Sequence, residues 1–302
     1  MTTFVALLRR ELWEHRSLVI VPGALAALII ASIVGSSVYG LVHGGLVIMV
    51  GGSIVDAVPQ EHAGQVIPAL YLGMLVCFGM VLSVSIPLYL VDCLYADRRD
   101  RSILFWKSLP ISDAETVVSK LTTGLLLAPA VALVAAFVTT FVLSIGGSIV
   151  MWAAGISGVG TLWQLKPLLN ITLGAPLLAV LLALWYAPVA AWCVLASAYA
   201  PRAPLMWATL PPIALIIAEQ VAFRTTRVPE FLGDRLGGVF SRLFDASDFR
   251  GFGVHDGSLE GGLPALRDVT AYLTSIDLWG GLVAAALFVL AAIALRRYRD
   301  ET

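Results

Sequence analysis

The chain reads as an all-α integral membrane protein of six transmembrane helices, and three observations predict this. Hydrophobic residues make up 59% of its 302 positions and charged residues 13%, with a mean hydropathy of +0.90. Soluble domains carry about 25% charged residues. Apolar runs at 18–39, 67–91, 121–145, 173–199, 205–223 and 278–295 are each long enough to cross a hydrocarbon core. A soluble domain would have to bury all of them in one core, so that class is set aside. The third observation is the lopsided placement of Lys and Arg around the runs.

With the N-terminus inside, the cytoplasmic flanks hold Arg9, Arg10, Arg16, Arg98, Arg99, Arg101, Lys107, Lys120, Arg202, Arg296, Arg297 and Arg299. The short external loops, 40–66 and 153–170, hold only Lys166. The other arginines lie in the long 224–277 segment, where the positive-inside rule is weak. Both termini are therefore expected in the cytoplasm, and the protein in a bacterial inner membrane.

Taken in order, residues 1–17 come first. Phe4, Leu7, Leu8 and Leu12 recur at helical spacing with Arg9, Arg10, Glu11 and Glu14 between them. The pattern predicts an amphipathic helix in the inner membrane interface, with Trp13 at headgroup level; a simple cytoplasmic extension of the first span is the alternative. The six-helix domain then occupies 18–302. Its first run is too long for a signal-peptide core and no A-x-A-like site follows it, so it is expected to stay as a helix. Pro22 sits near its start, where a missing amide costs least. Cys77, Cys93 and Cys193 lie in or at the ends of spans, with no metal-type spacing, and are expected to pack as small apolar groups.

Between the second and third spans lies a charged segment, 96–120, reading ADRRDRSILFWKSLPISDAETVVSK. Ser112 followed by Glu115 is a capping-box pattern, and Pro110 helps end whatever precedes it. The third helix is therefore expected to start near Asp113, with Lys120 marking the membrane surface. Upstream, residues 98–109 would form a short helix centred on Ile103, Leu104, Phe105 and Trp106. A solvated connector has little reason to expose those groups; a partner groove or the lipid interface could receive them.

These residues resemble a known loop. Asp97-Arg98 after the second helix, the apolar-aromatic helix, Lys107-Ser108-Leu109-Pro110-Ile111-Ser112 and then Lys120 at the head of the third helix look like the cytoplasmic loop of ABC-2-type permeases. Arg9-Arg10-Glu11-Leu12 is similar to that family's segment before the first span. The resemblance implies the membrane subunit of an ATP-driven exporter. Its loop would form a cytoplasmic coupling helix docked on a separate nucleotide-binding subunit through Asp97, Arg98, Arg101, Phe105, Trp106, Lys107, Leu109 and Pro110. Asp97 stands where the family often has Glu, and Ser102 where a Gly-Thr pair is frequent. A second permease subunit, favoured as an identical copy, would complete the pathway. The cargo classes implied are peptides, antibiotics, lipids and polysaccharides.

The residues agree with that division of labour. No G-x-x-x-x-G-K-[ST] occurs, so ATP and Mg are expected in the partner and no cofactor in this chain. There is no H-E-x-x-H or G-x-S-x-G, and His15, His43, His62 and His255 fall outside the spans, which argues against an intramembrane enzyme. A net charge of −1 gives no case for nucleic acid. An ion-coupled secondary transporter would be expected to carry more buried ionisable groups or an internal repeat. A scaffold subunit that docks a partner without moving cargo stays open.

Two further features remain. Pro211-Pro212 is expected to break or kink the fifth helix and to place it toward the bundle interior. Glu219 lies about 21 Å into that helix at 1.5 Å per residue. It reads either as a pathway carboxylate or as a structural acid, paired with Arg224 or Arg227 or capped by backbone. Within 224–277, Phe231, Leu232, Leu236, Val239, Phe240, Leu243 and Phe244 near helical spacing predict an amphipathic helix on the outer surface or re-entering it, followed by a glycine-rich loop. The first external loop, with His43, Asp56, Glu61 and His62, reads as a flexible connector.

Overall fold

A computed structural model of the chain describes residues 3–43, 49–50, 53–54, 66–100, 111–153, 159–163, 165–243 and 269–298. Apart from a two-residue antiparallel ladder pairing Met49 with Ile54 and Val50 with Ser53, and a short 3₁₀ turn at Val159–Trp163, these residues form helices and their connections. The helices are α1 (Thr3–Glu14), α2 (Ser17–His43), α3 (Val66–Arg99), α4 (Asp113–Thr122), α5 (Ala128–Ala153), α6 (Leu165–Tyr199), α7 (Pro204–Phe223), α8 (Arg227–Leu243), α9 (Val269–Leu273) and α10 (Ile276–Tyr298). A π-helical turn, Thr123–Leu127, joins α4 to α5 without a break. Six stretches are long and apolar enough to cross a membrane: Ser17–Ser36, Leu70–Arg99, Asp113–Val150, Leu168–Tyr199, Pro204–Phe223 and Ile276–Tyr298. They overlap the six apolar runs one for one.

Helix α6 is the axis of the bundle. Half of its apolar window is buried, against 11% in α2 and in α7. It packs along α10, α3 and α7, while α2 lies on α5. The close approaches rest on small residues: Ala190, Ala191, Ala196 and Ala198 of α6, Ala128 of α5, Ala208 of α7 and Ala292 of α10 are all buried. In a membrane, where lipid is as apolar as leucine, such residues let backbones approach and gain dispersion contacts. Many of the larger apolar residues point outward, as at Leu28, Val84, Val134, Leu215 and Leu287. Cys93 and Cys193 are buried in the same core and all three thiols are unpaired.

The start of α4 forms as the sequence predicts. Ser112 Oγ accepts the Glu115 amide at 3.1 Å, and Glu115 Oε2 accepts the Ser112 amide at 2.9 Å. The π turn that follows was not legible in the sequence. It lies where Gly124 meets Leu90 of α3 so closely that a Cβ would fall 2.8 Å from Leu90 Cδ2.

The double proline behaves differently from its expectation. Helix α7 runs unbroken through Pro211 and Pro212 and lies at the edge of the bundle. One cause of the continuity is visible. Pro212 has no amide to give the Ala208 carbonyl, and the Trp192 indole N–H of α6 donates to that oxygen at 2.9 Å instead. Trp192→Phe removes the substitute donor and should cost about 1–3 kcal/mol of stability, the range for a buried acceptor left unmet. The expected readout is a lower denaturation midpoint in detergent. Adding Pro212→Ala, which restores an amide, should recover most of the loss.

Candidate functional site

Four helix ends meet at the end of the bundle that carries α1 and the close of α10, called here the basal end. Lys120 of α4 is fully buried there. Its Nζ lies 3.0 and 3.2 Å from the two oxygens of Glu11 in α1, which is also fully buried. The same ammonium is 3.5 Å from both oxygens of Asp97 in α3. Arg296 of α10 donates to Asp97 Oδ2 at 3.2 Å and to Asp113 Oδ1 of α4 at 3.0 Å. Arg10 reaches Asp97 at 3.7 Å and Glu14 at 2.7 Å. Tyr89 of α3 donates its hydroxyl to Glu11 at 2.9 Å.

Local structure explains how these groups reach one another. In α1, Leu7 and Glu11 are one helical step of four apart, so they share the face turned to the bundle; both are buried, while Val5 and Trp13 are exposed. The side of the helix turned to the bundle therefore carries a carboxylate beside its apolar contact. In α4, Val117 and Lys120 are three apart and equally buried. Lys120 is turned inward and is the centre of the site. His15, just past α1, lies edge-on to Tyr89 at 4.7 Å, and burial holds its imidazole below the ordinary range.

The buried centre of the cluster is balanced, with Glu11 and Asp97 facing Lys120 and Arg296, while Asp113, Arg10 and Glu14 lie around it. Removing one member of a buried pair strands its partner at a cost of about 3–5 kcal/mol, although the intact pair adds little over a well-packed apolar replacement. Its value is geometric. Glu11, Asp97 and Asp113 each meet a cation from another helix, which ties the four helix ends together.

The residues expected to dock a partner divide here. Asp97 is buried among these charges, and Arg98 donates to the Ser197 and Ala200 carbonyls at 2.6 and 2.9 Å, closing the C-terminus of α6. Both side chains are committed inside the bundle. Arg98 remains half-buried, and Asp97 is nearly covered. Arg101, Phe105, Trp106, Lys107, Leu109 and Pro110 lie outside the described residues. On the surface beside them, Arg99 pairs with Asp100 at 3.0 Å and with Asp92 at 3.9 Å.

The expected pathway residues are not brought together. Pro211 lines a shallow groove of about 330 Å³ between α6, α7 and α10, with Trp192, Tyr199, Trp207 and Leu295, open on the outer surface of the bundle. Glu219 accepts the Thr225 hydroxyl at 2.6 Å and the amides of Arg227 and Val228 at 3.0 and 2.8 Å. Arg224, in the left-handed conformation with φ 51°, turns the chain so that α8 starts over this carboxylate. Glu219 therefore caps a helix, one of the two roles its sequence context allowed.

Helix α8 in turn is fastened to the middle of α6. The Trp185 indole donates to the Arg235 carbonyl at 2.8 Å, the Arg235 guanidinium lies 4.4 Å over the Trp185 ring, and Arg235 donates to the Asp277 carbonyl at 3.1 Å. Val239 and Arg235 form the buried face, whereas Phe231 and Leu236 of the predicted apolar stripe are exposed. The side chains of Phe240 and Leu243, residue Phe244, the glycine-rich stretch 251–262 and most of the first external loop lie outside the described residues.

No family model, curated protein or solved structure matches the chain. The assignment of roles therefore rests on the geometry. Glu219→Ala removes three acceptor contacts and should lower stability by about 1–2 kcal/mol, the usual cost of a lost cap. Amide exchange should accelerate over residues 227–230 and not in α6. Glu219→Gln, which keeps one acceptor oxygen, should show a smaller effect.

Proposed function

We propose that this chain is the membrane subunit of an ATP-driven exporter, paired with a second permease copy and with a separate ATPase that binds ATP and Mg at the basal end. One observation carries the reading. Segment 101–110 springs from two stems, α3 and α4, whose Asp97 and Lys120 lie 3.5 Å apart inside a buried ionic cluster that also holds α1 and α10. A loop anchored in that way passes a push on to the helices instead of absorbing it. The resemblance of the same segment to the ABC-2 permease loop supports the identity of the pusher.

In this reading the basal end is cytoplasmic, as the distribution of Lys and Arg favours. Helix α1 lies in the inner interface of a bacterial cytoplasmic membrane, its exposed Trp13 at headgroup level beside Arg9. Phe105 and Trp106 seat a coupling helix in a groove of the ATPase, with Arg101 and Lys107 against its acidic rim. Asp97 and Arg98 act one step back, holding the stems. A scaffold subunit would use the same surface without linking it to turnover.

Purifying the full-length chain from its native membrane should bring down an ATPase. Changing Phe105 and Trp106 to Ala should strip it away while insertion persists, since each buried aromatic anchor is worth about 2 kcal/mol or more. Recovery of the chain with no ATPase, or unchanged capture by the double variant, would count against the proposal. Orientation has its own check. A thiol introduced at position 60 should react with an impermeant reagent added outside, and one at position 105 should react only after the membrane is opened.

A further inference from the structure

We infer that Lys120 is a positioning residue, a latch that joins the N-terminal helix to the stems of segment 101–110, so that a load on that segment changes how tightly α1 is held. The inference rests on the exporter reading only where a bound ATPase supplies the load. The latch itself follows from the geometry.

Helix α1 has a small apolar hold on the bundle. Leu7 is buried, but Phe4, Leu8 and Leu12 are only half covered and Val5 and Trp13 face outward. Its polar hold is made by Glu11, which receives the Lys120 ammonium and the Tyr89 hydroxyl, and by Arg10, which reaches Asp97 at the longer distance of 3.7 Å. Lys120 in turn is shared with Asp97, and Asp97 with Arg296. One ammonium therefore stands between the stem in α3, the stem in α4 and the helix at the start of the chain. If the stems shift so that Lys120 moves toward Asp97, Glu11 loses its counter-charge in a buried site, where a stranded carboxylate is strongly unfavourable. Release of α1 is the way to rehydrate it. By linkage, whatever holds the stems in the spacing that keeps Lys120 on Glu11 must also tighten α1, and by the same factor in each direction.

The test uses the full chain in lipid nanodiscs and reads amide exchange over residues 3–14. Lys120→Met keeps the bulk of the stem and removes the charge; exchange there should rise about 1,000-fold, the scale expected when a buried pair loses a partner. Glu11→Gln should raise it as well. The double variant should exchange no faster than the Lys120→Met chain, because the two side chains contribute one shared interaction. Lys120→Arg should stay within a few-fold of the parent. Exchange in the core of α6 should not change in any of them. If Lys120→Met does not fold, Glu11→Gln and Lys120→Arg carry the comparison. Unchanged exchange over 3–14 in folded variants, or effects that simply multiply in the double variant, would overturn the latch.

A second arm adds the partner. Capture of the ATPase should slow exchange over 3–14 in the parent chain and not in a Lys120→Met chain that still captures it. If the ATPase binds and α1 is unaffected, the relay through Lys120 is wrong while the exporter reading stands. If no ATPase binds, the exporter reading falls and the first arm alone decides the latch.

Discussion

The structure depends on a buried ammonium. Lys120 sits at zero exposure between two carboxylates from different helices, and Arg296 completes the charge balance from a third. Apolar packing between membrane helices is poorly directional, since the lipid offers nearly the same contacts as a neighbouring helix. Ionic groups in a dry site have no such tolerance, because a shift of a few ångström leaves a charge without a partner. The small-residue contacts along α6 let helices approach; the charges at the basal end decide which approach is taken.

The two ends of the bundle use different chemistry for the same task. At the basal end, full charges bind helix ends across the axis. At the distal end, neutral donors and one cation do so: Trp185, Tyr186 and Tyr272 each give a hydrogen to a backbone carbonyl, and Arg235 stacks on an indole. The difference suits their positions. The distal contacts reach well down the length of α6, where unsatisfied carbonyls are costly and aromatic N–H or O–H groups bring their own apolar cover.

Much of the fold was legible because it is set by properties a sequence displays directly. Run length and hydropathy mark the six candidate spans, and Ser112 with Glu115 marks the start of α4 to the residue. The site was less legible. Glu11 and Lys120 are visible as charges, and the sequence places one on the polar side of an interfacial helix and the other at the membrane surface, because charges usually face water. The signal that could have corrected this is position: Glu11 falls four residues after Leu7 on the apolar stripe, and Lys120 three after Val117. A charge on the buried face of a helix needs a partner, but which partner depends on contacts between segments far apart in the chain. Pro212 failed for a similar reason, since the donor that rescues its helix, Trp192, belongs to another span. Nothing in the local sequence of 123–127 announces a π turn, which arises from packing against α3.

That π turn has a consequence for the phase of the longest helix. Five residues, Thr123–Leu127, are wound more loosely than the helix on either side, taking up roughly one residue beyond the usual turn. Were the same residues to wind as ordinary α-helix, the segment below them would rotate by about 100° relative to the shaft above, because each residue of an α-helix advances by that angle. Val117 and Lys120 would swing off the axis of α6 together. The direction in which the basal segment faces is therefore stored as winding, three residues from the lysine it aims, at the place where Gly124 leaves room for Leu90 and a bulkier residue would not.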